Sequence, residues 1–301
     1  MYCNTKNMLL NARKNGYAIG AFNISNMEFA QAVINAGIKT NTPVICQASE
    51  SACEYAGFET LVNIVKTLAK NAPIEVALHL DHGKSVEICK KAVDAGFTSV
   101  MIDLSTLPYD ENVKGTKEVV NYAHKHGVTV EAELGEIIGV EDNVSNDKSH
   151  FTDPCKAKQF IKETGVDSLA VSIGTAHGVN KGLNEPKIRF DILKELDVLM
   201  PNFPFVCHGA SAVDQRFVDK FISYGGSLNK AQGIPKDVLR KMAINSPICK
   251  INQDTDLRLC FSATIKEFLN KHPEVFDPRK IIGATRNALS DYVEESINLF
   301  K

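Results

Sequence analysis

The segment EVALHLDHG (75–83) is an apolar run that ends in an aspartate, a histidine and a glycine. A similar arrangement occurs twice more, in SLAVSIGTAHG (168–178) and in PFVCHGAS (204–211). Short runs of apolar and β-branched residues are typical of buried strands, above all in parallel sheets that are covered on both faces. These segments therefore predict three buried strands, each with a histidine at or just beyond its carboxyl end.

Five further runs of this kind are spread along the chain, and helix-like stretches separate them. One such stretch is MEFAQAVINAGIKT (27–40); another is VEICKKAVDAG (86–96), which ends in a glycine, as helices often do. The eight strand-like runs are 17–23, 43–49, 75–81, 99–104, 129–135, 168–174, 204–210 and 249–255.

Eight strands that alternate with helices in a chain of 301 residues predict an α/β protein with a parallel, eight-stranded (β/α)8 TIM barrel. We expect residues 1–301 to form a single catalytic domain, with extra helical sequence at the carboxyl terminus. The alternative is an open, doubly wound sheet. It is disfavoured because AFNISNMEF (21–29), at the end of the first strand, has no G-x-G-x-x-G phosphate turn.

Two segments interrupt the alternation. EIIGVEDNVSNDKSHFTDP (136–154) is polar and too long for a tight connection. Loops of this length are often lids over an active site, and we predict a lid here. YGGSLNKAQGIPKDV (224–238) opens an insertion of about 224–247, for which we expect a helical excursion or a subunit contact.

Composition excludes several classes of function. The hydrophobic fraction of 44% is ample for a core, and a net charge of −2 leaves no general basic surface for nucleic acid. The sequence has no apolar run near the roughly 18 residues of a membrane span, and its first residues do not resemble a signal peptide. Eight cysteines without a C-x-x-C pair indicate reduced thiols. We therefore expect a cytoplasmic protein without nucleic-acid or membrane partners.

The strands of such a barrel all open on one face, where catalytic groups collect. One histidine on an apolar strand is usually an ordinary core or surface residue, but three at matching strand ends favour a metal site. Three imidazole ligands leave the fourth coordination position of a zinc ion open for substrate. The other histidines are interpreted as surface residues (His124, His126, His150, His272) or, for His79, as an unassigned packing or supporting group.

Small residues beside two of these histidines suggest an anion site. GTAHGVNKG (174–182) and HGAS (208–211) offer backbone N–H groups, and barrel loops after the seventh and eighth strands often bind phosphate. Lys181 is a candidate positive charge. The glycines could instead serve only tight turns. Beside a metal site, they favour a phosphorylated small molecule as the substrate.

Nine motifs, in chain order, resemble the class II, zinc-dependent fructose-1,6-bisphosphate aldolases: AFNISN, CQASES, LHLDHG, SVMIDLS, VEAELGEIIGVEDN, AVSIGTAHGVNKG, CHGAS, KINQDTDLR and FDPRK. The resemblance spans nearly the whole chain. It implies a homodimeric or homotetrameric lyase that reversibly cleaves fructose 1,6-bisphosphate to dihydroxyacetone phosphate and glyceraldehyde 3-phosphate in glycolysis and gluconeogenesis.

Three alternatives stay open. Tagatose-1,6-bisphosphate aldolases share the metal site but usually read A-T-E in the eighth-strand motif, where this chain has Asp254, Thr255 and Asp256. A metal-dependent barrel hydrolase would more often have an H-x-H pair on the first strand, which AFNISN lacks. A non-catalytic sugar-phosphate sensor would tolerate the loss of metal-ligating residues, whereas this chain has all the proposed ones.

The resemblance also implies roles for individual residues. Asp81 would be the acid/base at the C4 oxygen, and Glu141 in the lid would move the proton on the dihydroxyacetone-phosphate carbon. Glu131 would orient a ligand histidine, and main-chain groups near the ligands could hold a monovalent cation. The catalytic Zn²⁺ would be bound by His82, His177 and His208, and a second or displaced Zn²⁺ by Asp103 and Glu133.

For the substrate, the resemblance implies contacts to both halves. Ser49 would contact the aldehyde half, and Arg279, from the same or a neighbouring subunit, would bind the far phosphate. The residues for the dihydroxyacetone-phosphate half are Gly178, Gly209, Ala210, Ser211, Asn252, Gln253, Asp254 and Thr255, with Lys181 as a further charge. The chain departs from the usual family pattern at Ser51, Leu104, Thr106 and Asn180.

Overall fold

The computed structural model describes residues 1–141, 144–146, 151–178, 188–228 and 231–301, with the backbone alone for 138–141 and 144–146. Within these ranges the strands are β1 (Ile19–Asn23), β2 (Val44–Ser49), β3 (Val76–Gly83), β4 (Ser99–Ile102), β5 (Thr129–Leu134), β6 (Ile138–Glu141), β7 (Val144–Asn146), β8 (Ser168–Val171), β9 (Ala176–His177), β10 (Phe205–Cys207) and β11 (Ile248–Gln253). The helices are α1 (Lys6–Asn15), α2 (Met27–Thr40), α3 (Glu50–Ala56), α4 (Phe58–Ala69), α5 (Val86–Ala95), α6 (Tyr109–Ala123), α7 (Pro154–Thr164), α8 (Phe190–Leu199), α9 (Gln215–Ser223), α10 (Lys236–Ile244), α11 (Thr255–Lys271) and α12 (Pro278–Leu299).

Eight parallel strands close into a barrel in the order β1, β2, β3, β4, β5, β8, β10, β11. The ring closes between β1 and β11, where Ile19 lies opposite Lys250 and Phe22 opposite Gln253. Each of the eight predicted runs contributes one strand. The prediction of a (β/α)8 barrel is therefore confirmed, and the open sheet is excluded.

Local sequence sets the helix ends close to the predicted positions. Helix α2 begins after Asn26, whose side chain accepts a hydrogen bond from the backbone N–H of Phe29 at 3.1 Å. Helix α5 begins after Ser85, which caps it in the same way. It ends at Gly96 with a φ of 107°, in a region that glycine enters without steric cost.

The barrel interior is apolar at its amino-terminal end and polar at its carboxyl end. Helix α1 closes the amino-terminal end, where its buried face packs on inward-pointing strand residues; this cluster contains Met8, Leu9, Ala12, Ile19, Ala21, Ile45, Ala77 and Cys249. A further interior cluster consists of Met101, Ala170 and Val206. The buried polar side chains include Asp81, His82, Glu133, His208 and Asn252. The apolar layers thus support a polar site at one end of the barrel.

A small second sheet connects the segment predicted to be a lid with β9. Strand β6 pairs antiparallel with β7 and parallel with β9, with Gly139 opposite His177. The predicted lid is thereby joined, through backbone hydrogen bonds, to the strand that carries a candidate ligand.

The chain between β10 and β11 and the carboxyl terminus add helices to the barrel. Helix α10 lies within the expected insertion at 224–247. Helix α12 follows the eighth barrel helix, α11, and packs on both α2 and α11, as expected for extra carboxyl-terminal sequence. Among the described residues, no helix combines the length and the apolar character that crossing a membrane requires.

A candidate metal centre at the carboxyl ends of the barrel strands

Three histidines that are far apart in sequence meet at the carboxyl ends of the strands. His82 lies near the carboxyl end of β3, His177 lies in β9, and His208 directly follows β10. All three are buried. The backbone of His82 has a φ of 47°, a left-handed conformation that is uncommon for residues other than glycine and that persists only where the surroundings hold it.

The three imidazoles are close enough to share one ion. Their candidate ligand atoms lie within 4.8 Å of one another. The ring centroid of His82 lies 5.1 Å from that of His177 and 4.6 Å from that of His208. Since zinc–nitrogen bonds are about 2.0–2.1 Å long, small side-chain movements would bring all three nitrogens onto one ion.

Two carboxylates hold the outer nitrogens of this cluster. Nε2 of His208 lies 2.8 Å from Oε1 of Glu131, and Nδ1 of His82 lies 2.8 Å from Oδ2 of Asp103. Metal-binding histidines usually donate their second ring N–H to such an acceptor. These contacts leave Nδ1 of His208 and Nε2 of His82 facing each other, 2.9 Å apart.

The environment shifts the pKa values of the two rings in opposite directions. Burial lowers the pKa of His208 well below its usual value, and the positive charges of His82 and Lys250 lower it further. Burial also disfavours the charged form of His82, but the hydrogen bond that His82 donates to Asp103 and the charge of Asp81 outweigh it and raise the pKa of His82 well above its usual value. Because a metal binds neutral imidazole, metal binding at this site is coupled to the release of protons.

A second cluster of possible ligands shares His82. The ligand atoms of His82, Asp103 and Glu133 also lie within 4.8 Å of one another. Burial raises the pKa of Glu133 well above its usual value, and the negative charge of Asp103 acts in the same direction. Oε2 of Glu133 is buried and has no hydrogen-bond partner in the part of the chain that the structure describes. A buried, unpaired carboxylate oxygen is suited to a cation.

Asp81 lies beside the histidines and is held by amide groups. Its side chain is buried, and it accepts hydrogen bonds from Nδ2 of Asn23 at 3.0 Å and from Nδ2 of Asn252 at 3.2 Å. Nε2 of Gln47 lies 3.3 Å from the same carboxylate and donates to Oδ1 of Asn23 at 2.6 Å. These donors fix the carboxylate in one orientation next to His82.

Asn252 connects Asp81 to the histidine cluster. Its Nδ2 lies 3.1 Å from Nδ1 of His208, in addition to its contact with Asp81. Asn252, which is expected to contact substrate, thus lies in direct contact with the candidate ligand His208 and with the candidate acid/base Asp81.

The small residues after His208 form a tightly packed loop. Gly209 has a φ of 61°, and a Cβ there would lie 2.6 Å from the carbonyl oxygen of Ala176. Only glycine fits this position without displacing the backbone of the neighbouring loop. Gly178 likewise has a positive φ of 85°. The loops that carry His177 and His208 are therefore brought together by glycine.

Side chains from β11 and α11 form hydrogen bonds with the backbone of the loop that follows His208. The buried carboxylate of Asp256 accepts hydrogen bonds from the backbone N–H groups of Ala212, Val213 and Asp214 at 2.7, 3.2 and 2.7 Å. Gln253, expected among the substrate contacts, donates to the carbonyl oxygen of Ala210 at 2.7 Å. Its side-chain oxygen accepts from the hydroxyl of Tyr292 at 3.0 Å.

A cavity of about 610 Å³ opens beside the amide groups around Asp81. Ser49, Ser51 and Asp254 contribute to its lining. Arg258 also lines it, with Nε 2.8 Å from Oδ1 of Asp254. Thr255 is the first residue of α11, directly after Asp254. Arg258 is a positive charge near Ser49 that the sequence did not single out.

Among the expected site residues, Arg279 lies outside this arrangement, and the side chains of Glu141 and Lys181 are not among the described ones. The Arg279 side chain is 89% exposed, pairs with Asp277 in its own helix start and does not line the cavity. Glu141 ends β6, whose backbone alone is described. Lys181 lies outside the described residues.

Three of the four departures from the family pattern lie within the described residues. Oγ of Ser51 is 3.2 Å from Oγ of Ser49, so this serine belongs to the cavity wall. Leu104 packs over Gly115 of α6, and Thr106 is exposed. Asn180 lies outside the described residues.

Sequence reasoning missed Asn23, Gln47 and Lys250 as well as Arg258. The first three share one signal, which is a polar side chain inside a strand whose residues are all buried. Buried polar groups require partners, so each of these positions implied a polar interior. Arg258 follows Asp254 by four residues on α11, a spacing typical of helical ion pairs.

Both the sequence and the fold have known relatives. Residues 3–301 match the family model of class II fructose-bisphosphate aldolase. The fructose-bisphosphate aldolase of Treponema pallidum is 46% identical over 305 residues, which cover 95% of this chain and 92% of that protein. That of Thermus caldophilus is 47% identical over 296 residues, covering 97% and 96%.

A solved structure with the same architecture is that of the YdjI aldolase from Escherichia coli K12. It superimposes with a TM-score of 0.80 at 30% identity, over 100% of this chain and 97% of that one. Together with the match along almost the entire sequence, this places the chain in the class II fructose-bisphosphate aldolase family.

Proposed function

We propose that the protein is a Zn²⁺-dependent lyase that reversibly cleaves fructose 1,6-bisphosphate into dihydroxyacetone phosphate and glyceraldehyde 3-phosphate. The observation that carries this proposal is the group of three buried imidazoles within 4.8 Å, beside the oriented carboxylate of Asp81. Cleavage between C3 and C4 needs an electrophile at the ketose carbonyl and a base at the C4 hydroxyl. The family is metal-dependent, and the imidazoles that would hold the metal lie beside the carboxylate of Asp81.

The donor set fits zinc. His82, His177 and His208 offer imidazole nitrogens, which zinc prefers together with thiolates and carboxylates, and three protein ligands leave a position for substrate. Held by these three residues, Zn²⁺ would supply a Lewis acid for the ketose carbonyl. Asp103 and Glu133, with His82, are the candidates for a second or displaced Zn²⁺. Main-chain groups of the glycine loops are the candidates for a monovalent cation.

Asp81 is the proposed acid/base. Its carboxylate takes the proton of the C4 hydroxyl as the C3–C4 bond breaks, so that the C4 oxygen becomes the aldehyde carbonyl and the electron pair remains on C3. Glu141 is proposed to deliver a proton to that carbon. In the direction of synthesis, the two proton transfers run in reverse.

The substrate's two phosphates would lie at different parts of the site. The dihydroxyacetone-phosphate half is assigned to the loops at Gly178 and Gly209–Ser211, together with Asn252 and the residues that follow it; Lys181 is a further candidate. The far phosphate is assigned to the cavity that Ser49 and Arg258 line. Arg279 remains a candidate for donation from a neighbouring subunit.

We further propose one catalytic domain over residues 1–301, with 136–154 as a lid and 224–247 as an insertion. The expected assembly is a homodimer or homotetramer in the cytoplasm, acting in glycolysis and gluconeogenesis. Sedimentation of the purified protein would determine the number of subunits.

The decisive experiment is cleavage of fructose 1,6-bisphosphate before and after treatment with a chelator. We expect activity to disappear with the chelator and to return with Zn²⁺. Activity that survives metal removal and is trapped by borohydride as a lysine adduct would contradict the proposal. Parallel turnover of tagatose 1,6-bisphosphate distinguishes the two epimer specificities.

A further inference from the structure

A lysine is buried inside the barrel directly beneath the histidine cluster. Lys250 of β11 has no exposed surface, and its Nζ lies 3.0 Å from Oε2 of Glu131. It also lies 3.5 Å from Nε2 of His79, whose other ring nitrogen contacts Oγ of Ser99 at 2.8 Å. A buried ion pair of this kind costs several kcal/mol of desolvation per ion and seldom adds net stability. Its presence therefore calls for another explanation.

The ion pair is linked to the candidate metal centre through one carboxylate. Glu131 contacts Lys250 with both oxygens, at 3.0 and 3.2 Å, and its Oε1 is also 2.8 Å from Nε2 of His208. The opposite ring nitrogen of His208 faces His82. Glu131 thus lies between the ammonium and a candidate ligand.

This geometry decides which nitrogen of His208 is available to a metal. A carboxylate accepts but does not donate, so Nε2 of His208 carries the proton of this hydrogen bond and Nδ1 keeps its lone pair. The ammonium of Lys250 contacts both oxygens of Glu131, at 3.0 and 3.2 Å, and holds the carboxylate in the position from which it accepts this hydrogen bond.

We propose that Lys250 is a positioning residue for the metal centre: its ammonium holds the carboxylate of Glu131 where it accepts from Nε2 of His208, and this presents Nδ1 of that ring to the metal. The inference rests on the proposed function only in that it takes a metal ion to bind the three imidazoles. It also predicts a change of sign. With Glu131 present, Lys250 strengthens metal binding; without that carboxylate, its positive charge repels the incoming cation and weakens binding.

The test is a double-mutant cycle of Lys250→Met and Glu131→Gln, read out as the dissociation constant for Zn²⁺ in competition with a chromogenic chelator. We expect Lys250→Met to weaken binding about 10- to 100-fold, the usual effect of losing a partner behind a metal ligand. Glu131→Gln alone should weaken it at least as much. The double variant, in which a neutral amide oxygen still accepts from His208 and the repelling ammonium is gone, should bind more tightly than Glu131→Gln.

Lys90→Met provides the matched control, because Lys90 forms a surface ion pair with Glu118 at 2.7 Å; its metal affinity should equal that of the wild type. Equal affinity in Lys250→Met and wild type, or a double variant no tighter than Glu131→Gln, would overturn the inference. If Lys250→Met does not fold, the comparison of the double variant with Glu131→Gln still decides the question. Failure of the wild-type protein to bind Zn²⁺ would instead contradict the proposed function.

Discussion

Nε2 of His82 and Nδ1 of His208 lie 2.9 Å apart, although their strands, β3 and β10, are on opposite sides of the barrel. The two side chains therefore meet over the barrel axis, where the polar end of the interior begins. Since neither ring can reach the other unless the barrel closes, the candidate metal centre depends on the whole fold. A metal ion would take the place of the direct contact between the rings.

Removal of one of these rings should remove the metal. We expect His208→Ala to lose at least about 100-fold in Zn²⁺ affinity, since the loss of a supporting partner alone usually costs 10- to 100-fold. Metal content after dialysis, measured by elemental analysis, checks this. His124→Ala is the control because His124 pairs with Asp167 on the outside of the barrel. Full zinc occupancy in His208→Ala would argue against the site.

Asp81→Ala should separate metal binding from turnover. We expect zinc to remain bound and cleavage to slow by about 10²–10⁴-fold, the usual contribution of a positioned acid or base. Steady-state cleavage rates and metal content on the same preparation test both parts. Asp94→Ala, which alters a surface carboxylate hydrogen-bonded to Tyr122, should keep normal rates. Near-normal turnover of Asp81→Ala would refute its assigned role.

Arg258→Met should weaken binding of the bisphosphate selectively. Because Arg258 lines the cavity beside Ser49, we expect KM for fructose 1,6-bisphosphate to rise about tenfold, or roughly 1.4 kcal/mol. Binding of dihydroxyacetone phosphate, followed by calorimetry, should change little. Arg189→Met is the control, since Arg189 pairs with its neighbour Asp191. An unchanged KM would leave the far phosphate to other residues.

Asp214 should contribute stability that is lost in acid. Burial alone would raise the pKa of Asp214, but hydrogen bonds from Arg216 and Lys236 outweigh it and hold the pKa well below its usual value. A carboxyl whose folded pKa is depressed stabilises the fold above its unfolded pKa, near 3.9, and loses this contribution as the pH falls towards the folded pKa.

We therefore expect Asp214→Asn to unfold more easily than the wild type at pH 7, by about 1 kcal/mol for a lost charge-assisted contact. The difference should shrink as the pH falls below about 4. Denaturant unfolding of both proteins between pH 3 and 7 measures it. A difference that stays constant over this range would contradict the assigned charge interaction.

The order of strands and the helix ends could be read directly from the chain. Alternation of eight apolar runs with amphipathic stretches predicted the barrel, and the segment 27–40 predicted the limits of α2 without error. Asn26 and Gly96 explain why such limits are readable: a cap or a left-handed residue acts on its immediate neighbours. Local interactions of this kind are fully present in the sequence.

The sequence by itself determined the barrel, the three candidate histidines and Asp81, because strand periodicity and position at a strand end depend only on nearby residues. Only the tertiary structure decided that Lys250 pairs with Glu131, that Gln253 donates to the carbonyl of Ala210, and that Arg258 lines the same cavity as Ser49. These relationships join residues from different strands and helices. Their distances are fixed only when the sheet closes on itself, since closure sets the stagger of every strand against its neighbours.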